Sequence, residues 1–180
     1  MSLATLTKTG RAAIVRAAIV KSIAARDIFL AWGTGEEAWD ADDAVLPSLV
    51  DITAITGEVG RRRASSVGFV TPDDAGEIVI PTASASDGTV MRVRYKISEA
   101  PTPYLYVRTN FNFEDASNAV IREIGVFLDS VPADGLPEGQ QYFTVDQISD
   151  PGLLLAAQII TPSIQRSPNV RQTVEFVLPI

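Results

Sequence analysis

"YLYVRTNFNF", residues 104–113, decides how the rest of the chain is read. Leu105, Val107, Thr109, Phe111 and Phe113 fall at every second position, and Tyr104, Tyr106, Arg108, Asn110 and Asn112 fill the places between. Side chains of a strand alternate between its two faces, so this spacing puts the first set against a core and the second set outside. Sheet, not helix, is the material of the chain around it.

The same grammar runs in both directions. "DIFLAW" (27–32), "VDITAIT" (50–56) and "EIVIPT" (77–82) are short apolar or β-branched runs bounded by Gly, Pro and Asp. "NAVIREIGVFLD" (118–129) and "LLLAAQIITPSI" (153–164) follow, and in the closing "RQTVEFVLPI" Val174, Phe176 and Leu178 alternate with Thr173, Glu175 and Val177. Turn-rich stretches such as "SASDG" (84–88) and "PADGLPEGQQ" (132–141) separate them. Ahead of the strands, Thr7 or Thr9 is placed to cap a helix over about residues 10–25. Ile14, Ala17, Ala18 and Lys21 form one of its rows, and Arg11, Ala12, Val15 and Ile19 lie beside it, a wide stripe of small apolar residues. The doubled "RAAIV" repeats after five positions, which does not return to the same helix face, and carries no structural meaning. One N-terminal helix and about seven strands predict an α+β fold, mostly antiparallel and sandwich-like, as one domain over residues 1–180.

Composition narrows the function. A net charge of -7 argues against a nucleic-acid binder, which needs a basic footprint. The chain has no cysteine and no histidine, which removes disulfides, thiol nucleophiles, Cys/His zinc sites and His-dependent triads together. No acidic residue precedes Asp27, as in a targeting peptide, but Arg16 splits the apolar run and it reads as a surface helix. Nothing approaches the roughly 20 apolar residues of a membrane span.

"AWGTGEEAWD" (31–40) raises three possible sites. As a phosphate cradle it fails, because Glu36 and Glu37 stand where Lys and Ser/Thr are required. As a calcium loop, Asp40, Asp42 and Asp43 lack the glycine and the terminal glutamate at the right spacing. The favoured reading is a solvated turn in which Trp32 and Trp39 fold back as a hydrophobic clasp. Arg61, Arg62 and Arg63 read as a solvated strand face or as ion-pair donors to another subunit, ahead of a basic contact or phosphorylation site. The Tyr104, Tyr106 and Arg108 face suits a sugar, a partner chain, or plain solvent. Glu123 sits among Ile121, Ile124, Val126 and Phe127, and a structural pair with an arginine is favoured over a general-acid role, since no second carboxylate is placed opposite it.

Taken in order, these segments resemble phage tail-collar fibre proteins and related contractile-tail baseplate proteins. The opening "LTKTGRAAIVRAAIVKSIAARDIFLAWGTG" (6–35) is similar to that family's helix, strand and Gly-rich turn, and "AWGTGEEAWDADDAVLP" (31–47) to its "G.G...W.D...P" turn. "NAVIREIGVFLD" resembles the "REIGLF" strand, and residues 150–180 the closing segment. Trp32 and "RRRASSVGFVTPDDAG" depart from the pattern. The resemblance implies an architectural corner at Gly33, Gly35, Trp39 and Asp40, and a structural strand at Glu123, Gly125 and Phe127. It implies a virion structural protein, a baseplate component or fibre adaptor, with no enzymatic activity and no cofactor or metal. Its partners would be other baseplate or tail-fibre proteins and further copies of itself, as a dimer or trimer, assembled in the host cytoplasm. The chain ends at Ile180, so an attachment domain without a fibre shaft is expected. The candidate partner surface comprises Arg61, Arg62, Arg63, Tyr104, Tyr106, Arg108, Val177, Leu178 and Ile180, with "EFVLPI" as the docking strand. The alternative is a carbohydrate- or receptor-binding module; a glycosidase ranks third.

Overall fold

The computed structural model describes residues 8–25, 27–83 and 90–180; Thr7 and the "SASDG" turn lie outside the described residues. Helix α1 (Lys8–Ala25) leads into β1 (Ile28–Gly33), a short 3-10 helix (Glu37–Asp40), β2 (Glu58–Arg63), β3 (Ser66–Pro72), β4 (Ile78–Ala83), β5 (Val90–Ser98), β6 (Tyr104–Phe111) and β7 (Val120–Leu128). The short β8 (Val131–Pro132), β9 (Tyr142–Phe143) and β10 (Ile148–Asp150) precede the long β11 (Leu153–Gln165) and β12 (Gln172–Pro179).

Two antiparallel five-stranded sheets result, in the orders β11-β7-β1-β2-β9 and β12-β6-β3-β5-β4, with β10 and β8 paired separately. They enclose one core. Ile28, Leu30 and Trp32 of β1 and Ile124, Val126 and Leu128 of β7 meet Phe69 of β3 and Leu105, Val107 and Phe111 of β6. Burying each such side chain contributes about 1.5–3 kcal/mol, so these facing strands set the sandwich. β1 is covered on its other face too, where Phe29 and Ala31 pack with Ile55, Phe127 and Phe143. That double burial explains its unbroken apolar run.

The expected fold class holds, and several local expectations do not. α1 docks through Val15, Ala18, Ile19 and Ile23, and the fully buried Ser22 donates its hydroxyl to the Asp129 carboxylate at 2.8 Å. The Ile14 and Lys21 side of the row faces solvent instead, with Ile14 60% exposed. "VDITAIT" forms no strand. Its buried Ile55 packs on the sheet and its backbone bonds to loop and side-chain groups, so β-branched composition there serves tertiary contact. β2 carries the arginines read as a strand face, while β3 and β5 show no clear period of two in the sequence, because small or polar residues occupy β3 and arginines β5.

The second sheet also curls, bringing β4 back against β12. Inside the curl, Val70, Ile80, Tyr95 and Tyr106 form a second packed face. Tyr106, expected outside, is therefore buried, while Phe113 lies beyond the end of β6 and is 41% exposed.

Candidate functional site

Two consecutive residues of β7 organise the loop over residues 34–57. Arg122 points Nε at one carboxylate oxygen of Asp40 from 2.9 Å and donates through another nitrogen to the Thr34 carbonyl at 3.0 Å. Glu123, fully buried, accepts the backbone N–H of Thr56 at 2.7 Å. Neighbours on a strand point to opposite faces, so the two ends of the loop are held from both sides of the sheet. Backbone bonds lock the feet together, with Thr34 N–H donating to the Gly57 carbonyl at 3.0 Å and Gly35 N–H to the Thr56 carbonyl at 3.1 Å.

The glycines make this fit possible. A Cβ on Gly33 would lie 2.5 Å from the Thr56 carbonyl oxygen, and one on Gly125 would lie 2.7 Å from the Ile55 side chain. Gly35 has a left-handed φ of 56°, and its missing Cβ would meet the Trp39 ring at 2.5 Å. Trp39 is buried at this corner, whereas Trp32 lies in the core against Phe111 with ring centroids 3.5 Å apart. The two tryptophans thus serve different places, and no clasp joins them. The hydrogen bond from Arg122 holds the Asp40 carboxyl below the usual carboxylate range, against a smaller opposing effect of desolvation. That pair takes Asp40 out of the acidic run considered as a metal loop.

Sequence reasoning located Glu123 and missed its partner. The arginine pairing expected of it belongs to its neighbour Arg122, and Glu123 bonds to a backbone amide instead. The "REIG" motif carried the signal: one residue for each foot, Ile124 for the core, and Gly125 to admit Ile55.

The arginine triplet is turned inward, correcting its placement on a partner surface. Arg61 is 3% exposed, chelates Glu58 with two bonds of 2.8 Å, reaches Ser130 and the Pro151 carbonyl, and lies 4.0 Å over the Phe127 ring. Arg62 pairs with Asp115 at 2.6 Å and Arg63 with Asp27 at 2.8 Å. A further buried arginine, Arg166, which sequence reasoning did not single out, donates to the carbonyls of Asn112, Asp115 and Val170 and stands 5.0 Å over Trp32. Burial lowers its pKa. The bonds of Arg62, Arg63 and Arg166 fasten segments where the chain crosses between the two sheets.

The aromatic face needed for sugar stacking is also internal. Trp32 is fully buried, Trp39 and Tyr106 nearly so, and the Tyr106 hydroxyl donates to Glu175 at 2.8 Å. Burial first, then Glu175, pushes the Tyr106 pKa up to about 12. Arg108 is exposed on that strand, and Tyr104 is half-buried against Tyr95.

At the other side of the sandwich, β11 and β12 are edge strands of their two sheets. Leu178 points to the shared core and Val177 into the curled face, and the Ile180 N–H donates to the Pro103 carbonyl at 2.8 Å. A groove of about 580 Å³ runs along this side, lined by Ala12 and Val15 of α1, Leu155 and Ala156 of β11, and Leu178 and Ile180.

A braced sandwich with a clamped loop, its sheets ending in β11 and β12, is the frame of a structural, assembling protein. The sequence identifies it further: the family described as "Baseplate wedge 3 tail fiber network component" matches residues 3–180, and the chain belongs to that family. It is a bacteriophage structural protein of the tail baseplate, acting alongside other baseplate and tail proteins. No individually curated protein matches the chain significantly.

Proposed function

We propose that this chain is an adaptor that attaches the tail-fibre network to the baseplate wedge of a contractile tail, working as a dimer or trimer after assembly in the host cytoplasm. The observation that supports this most is the side of the sandwich where β11 and β12 end their sheets. There the edges of both sheets lie beside an apolar groove shared with α1. An edge strand carries unpaired backbone donors and acceptors, and an apolar groove beside it gives an incoming strand or helix both hydrogen bonds and burial. Leu178 at the end of β12 and Ile180 just beyond it line this surface, while Val177 packs into the curled face behind it. In this reading the clamped corner at Gly33, Gly35, Trp39 and Asp40 and the strand bearing Glu123, Gly125 and Phe127 keep the frame rigid, and the chain has no catalytic task.

The test is incorporation into particles. Ala12→Glu together with Ala156→Glu places charge in the groove on small, half-buried residues. Purified tails carrying this variant, counted by quantitative mass spectrometry against the sheath protein, should contain at least about tenfold less of the chain, with the melting temperature of the purified variant unchanged. Full incorporation would remove the groove from the attachment surface. In wild-type particles a copy number in multiples of three or six supports the adaptor position.

A further inference from the structure

Between its clamped feet, the loop exposes a segment that has no role in the fold. Val45 is 94% exposed, Val50 86% and Leu46 46%, all within six residues that include Pro47. Isolated exposed apolar residues are ordinary, but a run of them on a fixed loop marks a contact surface. The flanks are acidic: Asp42, Asp43 and Asp51 are exposed and enter no ion pair among the described residues, and no lysine or arginine occurs between Asp27 and Arg61.

A surface of matching character lies on the same chain. The β4–β5 hairpin turns Ile80 and Tyr95 into the curled face. The alternate residues Val79, Pro81, Arg92 and Arg94 line a shallow depression of about 470 Å³ on its outside. Register places Val79 opposite Arg94 and Pro81 opposite Arg92, so apolar surface is flanked by two exposed guanidinium groups. Arg94 donates one guanidinium nitrogen to the Gly76 carbonyl at 3.1 Å, whereas Arg61, Arg62, Arg63, Arg122 and Arg166 are held in ion pairs or buried hydrogen bonds within the chain.

We propose that the acidic, apolar loop of one copy docks in the arginine-flanked depression of a second copy. Valines 45 and 50 would cover Val79 and Pro81, and Asp42, Asp43 and Asp51 would face Arg92 and Arg94. The loop is rooted on the first sheet and the depression lies on the hairpin of the second, and among the described residues no hydrogen bond or ion pair joins them. The two patches differ, so the contact is directional. Mutual exchange closes a two-fold dimer, and successive docking closes a ring. The inference rests on the reading of the chain as an oligomer and assigns the surfaces that make it one. Clamping the feet serves docking directly, because a loop held before binding loses less entropy on binding.

Charge reversal in the purified full-length chain tests it. Self-association is measured by sedimentation over a concentration series. Asp42→Arg with Asp43→Arg, and separately Arg92→Glu with Arg94→Glu, should each weaken association by about tenfold or more, and all four changes combined should restore it. Restoration also shows that neither double variant failed through misfolding. Val45→Ser with Val50→Ser should weaken association with the melting temperature unchanged. Association that ignores all of these changes overturns the assignment of surfaces and leaves the oligomer reading standing. A chain that stays monomeric at every concentration overturns both.

Discussion

Arg122 and Glu123, adjacent on β7, grip opposite ends of one loop, the first through Asp40 and Thr34 and the second through Thr56. Because Asp40 has its carboxyl pKa lowered by Arg122, the clamp is pH-dependent with a defined sign. A depressed carboxyl contributes stability that is complete above its ordinary value of 3.8 and is lost as pH falls through the lower folded value. Hydrogen exchange of residues 34–43 should therefore stay slow at neutral and mildly acidic pH and rise only below that value. In Arg122→Ala the same amides should exchange fast already at pH 7.

Glu123 separates two kinds of loss. In Glu123→Gln the side-chain carbonyl still accepts the Thr56 N–H, whereas Glu123→Ala leaves that amide without a partner. An unsatisfied buried donor costs about 1–3 kcal/mol, so urea denaturation should show the Ala variant less stable than the Gln variant by about that amount. Equal stabilities would show that the bond contributes nothing.

Gly35 meets two constraints at once, a left-handed backbone and contact with the Trp39 ring. Gly35→Ala should destabilise by about 1–3 kcal/mol. Its effect should be seen first as loss of the Trp39 environment, and tryptophan fluorescence in a Trp32→Phe background would isolate that signal.

Arg61 is expected to be the most sensitive of the three consecutive arginines. Its removal leaves Glu58, itself largely buried, without its partner and uncovers the Phe127 ring. Breaking a buried pair from one side costs about 3–5 kcal/mol. Arg63, more exposed, paired to Asp27 and standing over the Phe29 ring, should cost less than Arg61, about 1–2 kcal/mol, when changed to Ala. A midpoint shift in denaturant no larger for Arg61→Ala than for Arg63→Ala contradicts the assignment.

β6 and β12 were legible because their side chains alternate, and β1, β7 and β11 because their apolar runs are long enough to see. Tyr106 was misplaced because a linear pattern shows two faces of a strand but not the curl that buries both. The arginine triplet was misread for a related reason. Charged residues signal solvent until their partners are known: Asp115 and Asp27 lie on segments that only the fold brings close, and Glu58, three residues from Arg61 on β2, gives no sign in the sequence of its own burial. Residues 50–56 have strand composition, yet their decisive contacts are the bonds of Thr56 to Glu123 and Gly35 and the packing of Ile55. The corner at Gly35 and Trp39 was visible through its unusual residues, while the grip on it from β7 depended on distant pairing.

The placement of the loop's two anchors on β7 has a mechanical meaning. β7 is bonded along one side to β1 and along the other to β11. Hydrogen bonds in an antiparallel ladder lie perpendicular to the strands. A pull on the loop directed along β7 therefore shears both ladders together and does not peel them one bond at a time. Force entering at residues 122 and 123 is shared across three strands, which suits a part that must transmit strain between neighbours without unravelling.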